Sequence, residues 1–185
     1  MDMTFQESNL QFVFNDAKWA HLLEFDKETD FTQAQEAVPG TKGVDFSGIL
    51  EKDKLVLIEV KNFRGHRIEN KPRMVGGAAP LWLEVAQKMR DAIAVAVGAV
   101  RTSTYQAAAW KAYLEVLNHQ KKQLHLVLWL EQDAPANRQQ KYRSVEEEEF
   151  FRRQLKRSLK WLTKRVDVVS ISTNPFSNSL TVNYF

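Results

Sequence analysis

The 185-residue chain is 44% hydrophobic and 26% charged, with a formal net charge of +3 and no cysteine. Such a length suits one domain with a single substantial core. The lack of cysteine excludes disulfides and thiolate zinc sites and fits a reducing compartment, the cytoplasm. No apolar run approaches the roughly 18 residues that span a membrane, and the start MDMTFQESNLQF has neither the basic opening nor the apolar block of a secretion signal.

Taken in order, Phe5 and Leu10–Phe14 form an apolar cluster, and Asn15-Asp16 offers N-cap chemistry. Ala17–Phe25 is expected as a short helix with Trp19, Leu22 and Leu23 turned inward. Glu24, Asp26, Glu28 and Asp30 then form an acidic stretch, and Val38-Pro39-Gly40-Thr41 signals a turn. Val44–Leu50 and the continuous apolar run Leu55–Ile58 are expected as paired strands. The polar break Glu51-Lys52-Asp53-Lys54 would serve as their hairpin loop.

Residues 62–80, with Arg64, His66, Arg67, Lys71, Arg73, Gly76-Gly77 and Pro80, are expected as an irregular basic connector. From Pro80 to Val100, Trp82, Val85, Ala86, Met89, Ile93 and Ala96 recur at helical spacing. A second helix follows over Thr104–His119, then a strand over Gln123–Glu131 in which His125 is a core residue. Asp133–Arg143 is expected as a loop, with a helix from Ser144. In that helix Glu146–Glu149 would occupy the first turn, and the cations beyond it would complement the helix dipole. Val166–Ser172 and Leu180–Phe185 close the chain as strands joined at Asn174-Pro175. The expected fold is α/β, a single domain over residues 1–185 with a central mixed β-sheet flanked by helices.

The chemistry gathers at the end of the second hairpin strand. Glu59 and Lys61 share a strand face, with Val60 opposite. If Leu50 faces Lys54, Asp45 lies opposite Glu59 on that face. If Leu50 faces Leu55, Asp45 lies opposite Val60 instead. In the first register the two Cβ atoms stand about 4.5–5.5 Å apart. Carboxylates that close repel unless a cation lies between them, and a hard ion such as Mg²⁺ takes oxygen ligands of this kind. The stretch reads as a metal site with a lysine beside it.

Gly43-Val44-Asp45 followed by Glu59-Val60-Lys61 resembles the core of the PD-(D/E)XK nuclease superfamily, the restriction-endonuclease-like fold. Two further tripeptide matches, Asp16-Ala17-Lys18 and Glu69-Asn70-Lys71, follow no apolar strand and face no aspartate. The resemblance implies a nuclease dependent on Mg²⁺ or Mn²⁺. Asp45, Glu59 and the Val60 backbone carbonyl would be its ligands, with Glu24 or Asp26 as a further acidic one. Lys61 would orient water or neutralise developing charge. Some families place Gln-x-x-x-Tyr on the following helix; here Gln87 is followed by Asp91.

Charge suits a polyanionic partner. Residues 1–60 hold five basic and twelve acidic residues, a net −7, and residues 61–185 a net +10. The expected partner is nucleic acid, DNA first. Arg64, His66, Arg67, Gln87 and Lys88 are the candidate substrate contacts, and specificity would come from a homodimer or a protein partner. Two other functions use the same residues: a catalytically silent nuclease-fold subunit of a repair or defence assembly, and a glycosidase. The glycosidase gives Lys61 and the basic field no role. The four histidines lack zinc-hydrolase spacing.

Overall fold

The apolar run Leu55–Ile58 lies on the middle strand of a five-stranded sheet. In the computed structural model, residues 2–185 are described, apart from the side chains of Arg67 and Ile68. The chain runs β1 (Met3–Glu7), β2 (Leu10–Phe14), β3 (Trp19–Glu24), a 3-10 turn (Phe25–Lys27), α1 (Thr29–Ala37), β4 (Phe46–Leu50) and β5 (Lys54–Asn62). It continues through α2 (Arg67–Val75), α3 (Leu81–Thr102), α4 (Ala107–Asn118), β6 (Gln123–Glu131), α5 (Arg138–Leu159), β7 (Val166–Val169) and β8 (Leu180–Tyr184).

The large sheet has the order β3-β4-β5-β6-β7 and is mixed. β3, β4 and β5 pair antiparallel, whereas β5, β6 and β7 run parallel. A smaller antiparallel sheet has the order β1-β2-β8. Strand alternation divides the core between them. Leu55 and Leu57 enter a helix-side cluster with Phe31, Val85, Met89, Trp110 and Phe151. Val56, Ile58 and Val60 enter the other cluster, against Leu10, Phe12, Phe14, Leu180 and Val182 of the small sheet. The helices thus cover one face of the large sheet, and the small sheet covers the other.

Four expectations are corrected. Residues 17–25 are not a helix: Trp19–Glu24 is the edge strand β3. Asn15 does cap, but it closes a turn, accepting from the Ala17 amide at 3.0 Å through its side chain and from Trp19 through its carbonyl. A bulge between Ala20 and Leu23, with His21 at φ 52°, then sends Trp19 and Leu23 to opposite faces. Two buried residues four apart therefore mimic a helical stripe. Tyr113 of α4 pins the bulge by donating to the His21 carbonyl at 2.6 Å.

The basic connector contains a short helix, α2, with Pro72 inside it and Gly76 closing it at φ 100°. Arg138, not Ser144, begins α5, because Asn137 accepts from the Gln140 amide at 2.9 Å. Glu146–Glu149 therefore lie mid-helix and not in a first turn. The last two strands do not form a hairpin, since β7 closes the large sheet and β8 the small one. Among the described residues no helix is long and apolar enough to cross a membrane.

Gly43 admits no side chain unless a buried ring moves. A Cβ on Gly43 would lie 2.8 Å from Phe31 Cζ, and the Phe31 ring is itself buried against Phe25. Gly43→Ala should cost about 1–3 kcal/mol in urea unfolding, as overpacking does. An unchanged midpoint would show that the ring moves freely.

Candidate functional site

The hairpin register decides the site. Leu50 pairs with Lys54 and Phe46 with Ile58, which is the first of the two registers. Asp45 stands one residue before β4, donating its amide to the Ile58 carbonyl at 3.1 Å. Its own carbonyl accepts from Phe25 at 2.9 Å, and its Oδ2 accepts from the Val60 amide at 2.5 Å. Asp45 and Glu59 therefore face the helix layer side by side. Asp45 is 7% exposed and Glu59 0%.

Two ammonium groups meet them. Lys61 Nζ lies 2.8 Å from Glu59 Oε1 and 3.3 Å from Glu84 Oε1. Lys88 Nζ lies 2.7 Å from the same Glu59 oxygen and 4.0 Å from Asp45 Oδ1. Glu84 and Lys88 are four apart on α3 and so share a face. Arg73, reaching from α2, holds Glu84 Oε2 at 2.5 Å. Acidic and basic side chains alternate from Asp45 through Lys88, Glu59, Lys61 and Glu84 to Arg73. Neither Glu59 oxygen has a partner in hydrogen-bond geometry among the described residues. Oε1 is nevertheless held by the two ammonium groups, whereas Oε2 has no contact of either kind among the described residues. A buried anionic oxygen without a partner is costly, so it has coordinating capacity to spare.

Burial, and then the charge of Glu59, push the Asp45 carboxyl up to about 8, against the pull of Lys88 and the Val60 amide. Burial also raises Glu59 despite its two ammonium neighbours. Burial works against a charged Lys61, yet Glu59 beside it lifts its pKa above the ordinary value. Glu84 is raised by burial but is held below the usual range by Lys61 and Arg73.

The Asp45 shift has a consequence for stability. Between its ordinary value of 3.8 and about 8, Asp45 keeps its proton in the fold and loses it in the unfolded chain. The folded state then binds more protons, so stability falls as pH rises through that window. In EDTA, Asp45→Asn should flatten this decline, raising Tm near pH 8 far more than near pH 5. Parallel Tm profiles for the two proteins would contradict the assignment.

The other candidates are distributed unevenly. Asp26 is half-buried in the turn that Asp45 anchors; burial and Glu7 raise its pKa, and Lys27 and Lys88 lower it. Glu24 instead pairs with Lys27 at 2.5 Å. Gln87 accepts from Lys42 Nζ at 2.8 Å, and Asp91 accepts from the Lys42 amide at 3.1 Å. Both tie α3 to the segment that delivers Gly43 and Asp45. Two of the connector residues make their contacts elsewhere: Arg64 lies 3.7 Å over the Tyr184 ring, and His66 Nδ1 is 3.0 Å from Glu69. The Arg67 side chain lies outside the described residues. His125 pairs with Asp167 at 2.7 Å across β6 and β7.

Sequence reasoning placed Lys88 with the substrate contacts, and Glu84 stands four residues before it. Their i, i+4 spacing was the available signal, but nothing in it shows that α3 turns this face onto Glu59. Among the described residues, no group of three or more His, Asp or Glu side chains gathers to hold a metal. The donor set is a pair of carboxylates.

The chain is an α/β protein in which buried Asp45 and Glu59 lie beside two lysines on the helix side of the sheet. No family model, curated protein or solved structure matches it.

Proposed function

We propose that the chain is a metal-dependent nuclease of the PD-(D/E)XK type, acting on nucleic acid, DNA first. One observation carries the reading: Asp45 and Glu59 lie side by side and buried, with Lys61 on the same face and Glu59 Oε2 unpartnered. The donors suit a hard divalent cation, since Mg²⁺ takes one or two carboxylates and completes its shell with water and phosphate oxygens. Asp45, Glu59 and the Val60 carbonyl would hold it, with Glu24 or Asp26 as a further acid. When bound, Mg²⁺ or Mn²⁺ polarises a phosphodiester and acidifies a coordinated water.

The protein's own groups supply the rest. Asp45 gives up its proton as the cation enters, so affinity rises with pH. Lys61, fixed between Glu59 and Glu84, presents Nζ where a phosphate oxygen or the attacking water would lie, and it stays charged there. Gln87 and Asp91 keep the Asp45 segment in place through Lys42. Labelled single- and double-stranded DNA and RNA, incubated with Mg²⁺, Mn²⁺ or EDTA, test the activity. Cleavage is expected with either metal and not with EDTA. Intact substrates throughout would refute it.

A second reading is favoured by Lys88, whose Nζ already stands between the two carboxylates. In that reading the ammonium replaces the cation permanently, and the chain is a silent nucleic-acid-binding or assembly subunit. Lys88→Met separates the two. If the site binds metal, Mn²⁺ at about 100 times its Kd should raise the variant's Tm by about 5–10 °C. A destabilised variant that Mn²⁺ does not restore would favour the silent subunit.

A further inference from the structure

The C-terminal half of α5 carries a surface that the carboxylate cluster does not use. Between Phe150 and Val166 the sequence has seven Lys and Arg residues and no acidic one. Arg153, Lys156, Arg157, Lys160, Lys164 and Arg165 are all exposed. None of these six has an ion-pair partner among the described residues, whereas Lys27, Lys54, Lys61, Lys71, Arg73, Lys88 and Arg90 all do. The helix dipole accounts for cations only within the last turn. With α5 starting at Arg138, it explains neither the earlier turn nor the cations beyond the helix end.

Lys156, Arg157, Lys160 and Lys164, with Thr163 and Val166, line a groove of about 300 Å³. Trp161 directly follows Lys160 and is 68% exposed. Its four counterparts, Trp19, Trp82, Trp110 and Trp129, are buried or half-buried. Thr163 donates to the Leu124 carbonyl at 2.8 Å, which fixes this end of the surface at the start of β6. Glu59 pairs four residues further along β6, at Leu128, roughly 13 Å away at strand spacing.

We propose that this face docks single-stranded nucleic acid, with phosphates on Lys156, Arg157, Lys160 and Lys164 and a base stacked on Trp161. Unpaired cations beside an exposed indole are what a strand with free base faces requires, whereas a duplex offers the indole no open face. An anionic membrane fits less well. The apolar stripe of α5, Phe151, Leu155 and Leu159, is buried in the core and leaves no face to enter acyl chains. The inference shares with the nuclease reading only the class of partner, and needs neither metal nor cleavage.

The test is fluorescence anisotropy of a labelled oligothymidylate with the full chain in EDTA, so a failed nuclease reading leaves the result interpretable. Trp161→Ala should weaken binding about tenfold. Lys156→Gln combined with Lys160→Gln and Lys164→Gln should weaken it more, lowering the salt slope by about 2. Lys18→Gln with Lys52→Gln, exposed cations elsewhere, should leave affinity unchanged, and thermal melts should show every variant folded. No binding, equal affinity for a duplex with Trp161→Ala neutral, or preference for phosphatidylserine vesicles would each overturn the proposal.

Discussion

Glu59→Gln should lower Mg²⁺-dependent cleavage by about 10³-fold or more while the chain stays folded. A bound cation contributes several kcal/mol of transition-state stabilisation, which is that factor in rate. Glutamine keeps the shape of the side chain and removes its charge. The fold should survive, because Lys61 still has Glu84 at 3.3 Å and Lys88 still has Asp45 at 4.0 Å. With the Glu59 charge gone, the second cause of the raised Asp45 pKa also disappears, and Asp45 ionises more readily against Lys88. Glu84→Gln should cost less, since Glu84 only steadies Lys61 from a half-exposed position. Single-turnover cleavage, with circular dichroism as the folding check, measures both. Glu59→Gln cleaving within tenfold of the parent would remove this carboxylate from the chemistry.

Phe12→Ala should destabilise the chain by about 3–5 kcal/mol, the usual cost of emptying a buried aromatic site. Phe12 is fully buried on β2, with ring centroids 5.1 Å from Phe46, 5.5 Å from Trp129 and 6.4 Å from Phe14. Phe46 and Trp129 belong to the face of β4 and β6 that carries no helices, so the small sheet is what keeps that face dry. Glu59 and Lys61 point the other way, so Mn²⁺ should still bind the folded variant. Urea unfolding provides the number. A loss below about 1 kcal/mol would make the small sheet an appendage and not half of the core.

How much of this was legible follows from how local each signal is. The apolar run Leu55–Ile58, a polar break of fixed length and the i, i+2 spacing of Glu59 and Lys61 reduced the hairpin to two registers, and backbone pairing selected one. Trp19 and Leu23 misled because a bulged strand and a helix can both bury residues four apart; only the bulge at His21 separates them. α2 escaped notice because Pro72 and a polar composition hide a helix in which Met74 is the buried side chain among the described residues. Arg64 and His66 follow the site strand in sequence, yet β8 and α2 capture them locally. Lys88 meets Glu59 because of where α3 crosses the sheet, a tertiary relation that no spacing within α3 encodes.

Calorimetric titration of Mn²⁺ into the parent chain and into Asp45→Asn/Glu59→Gln is the most direct measurement. The parent should bind with proton release, and the folded double variant should give no more than the heat of dilution. Equal affinity in both proteins, or no binding to the parent, would mean that these two carboxylates do not share a cation.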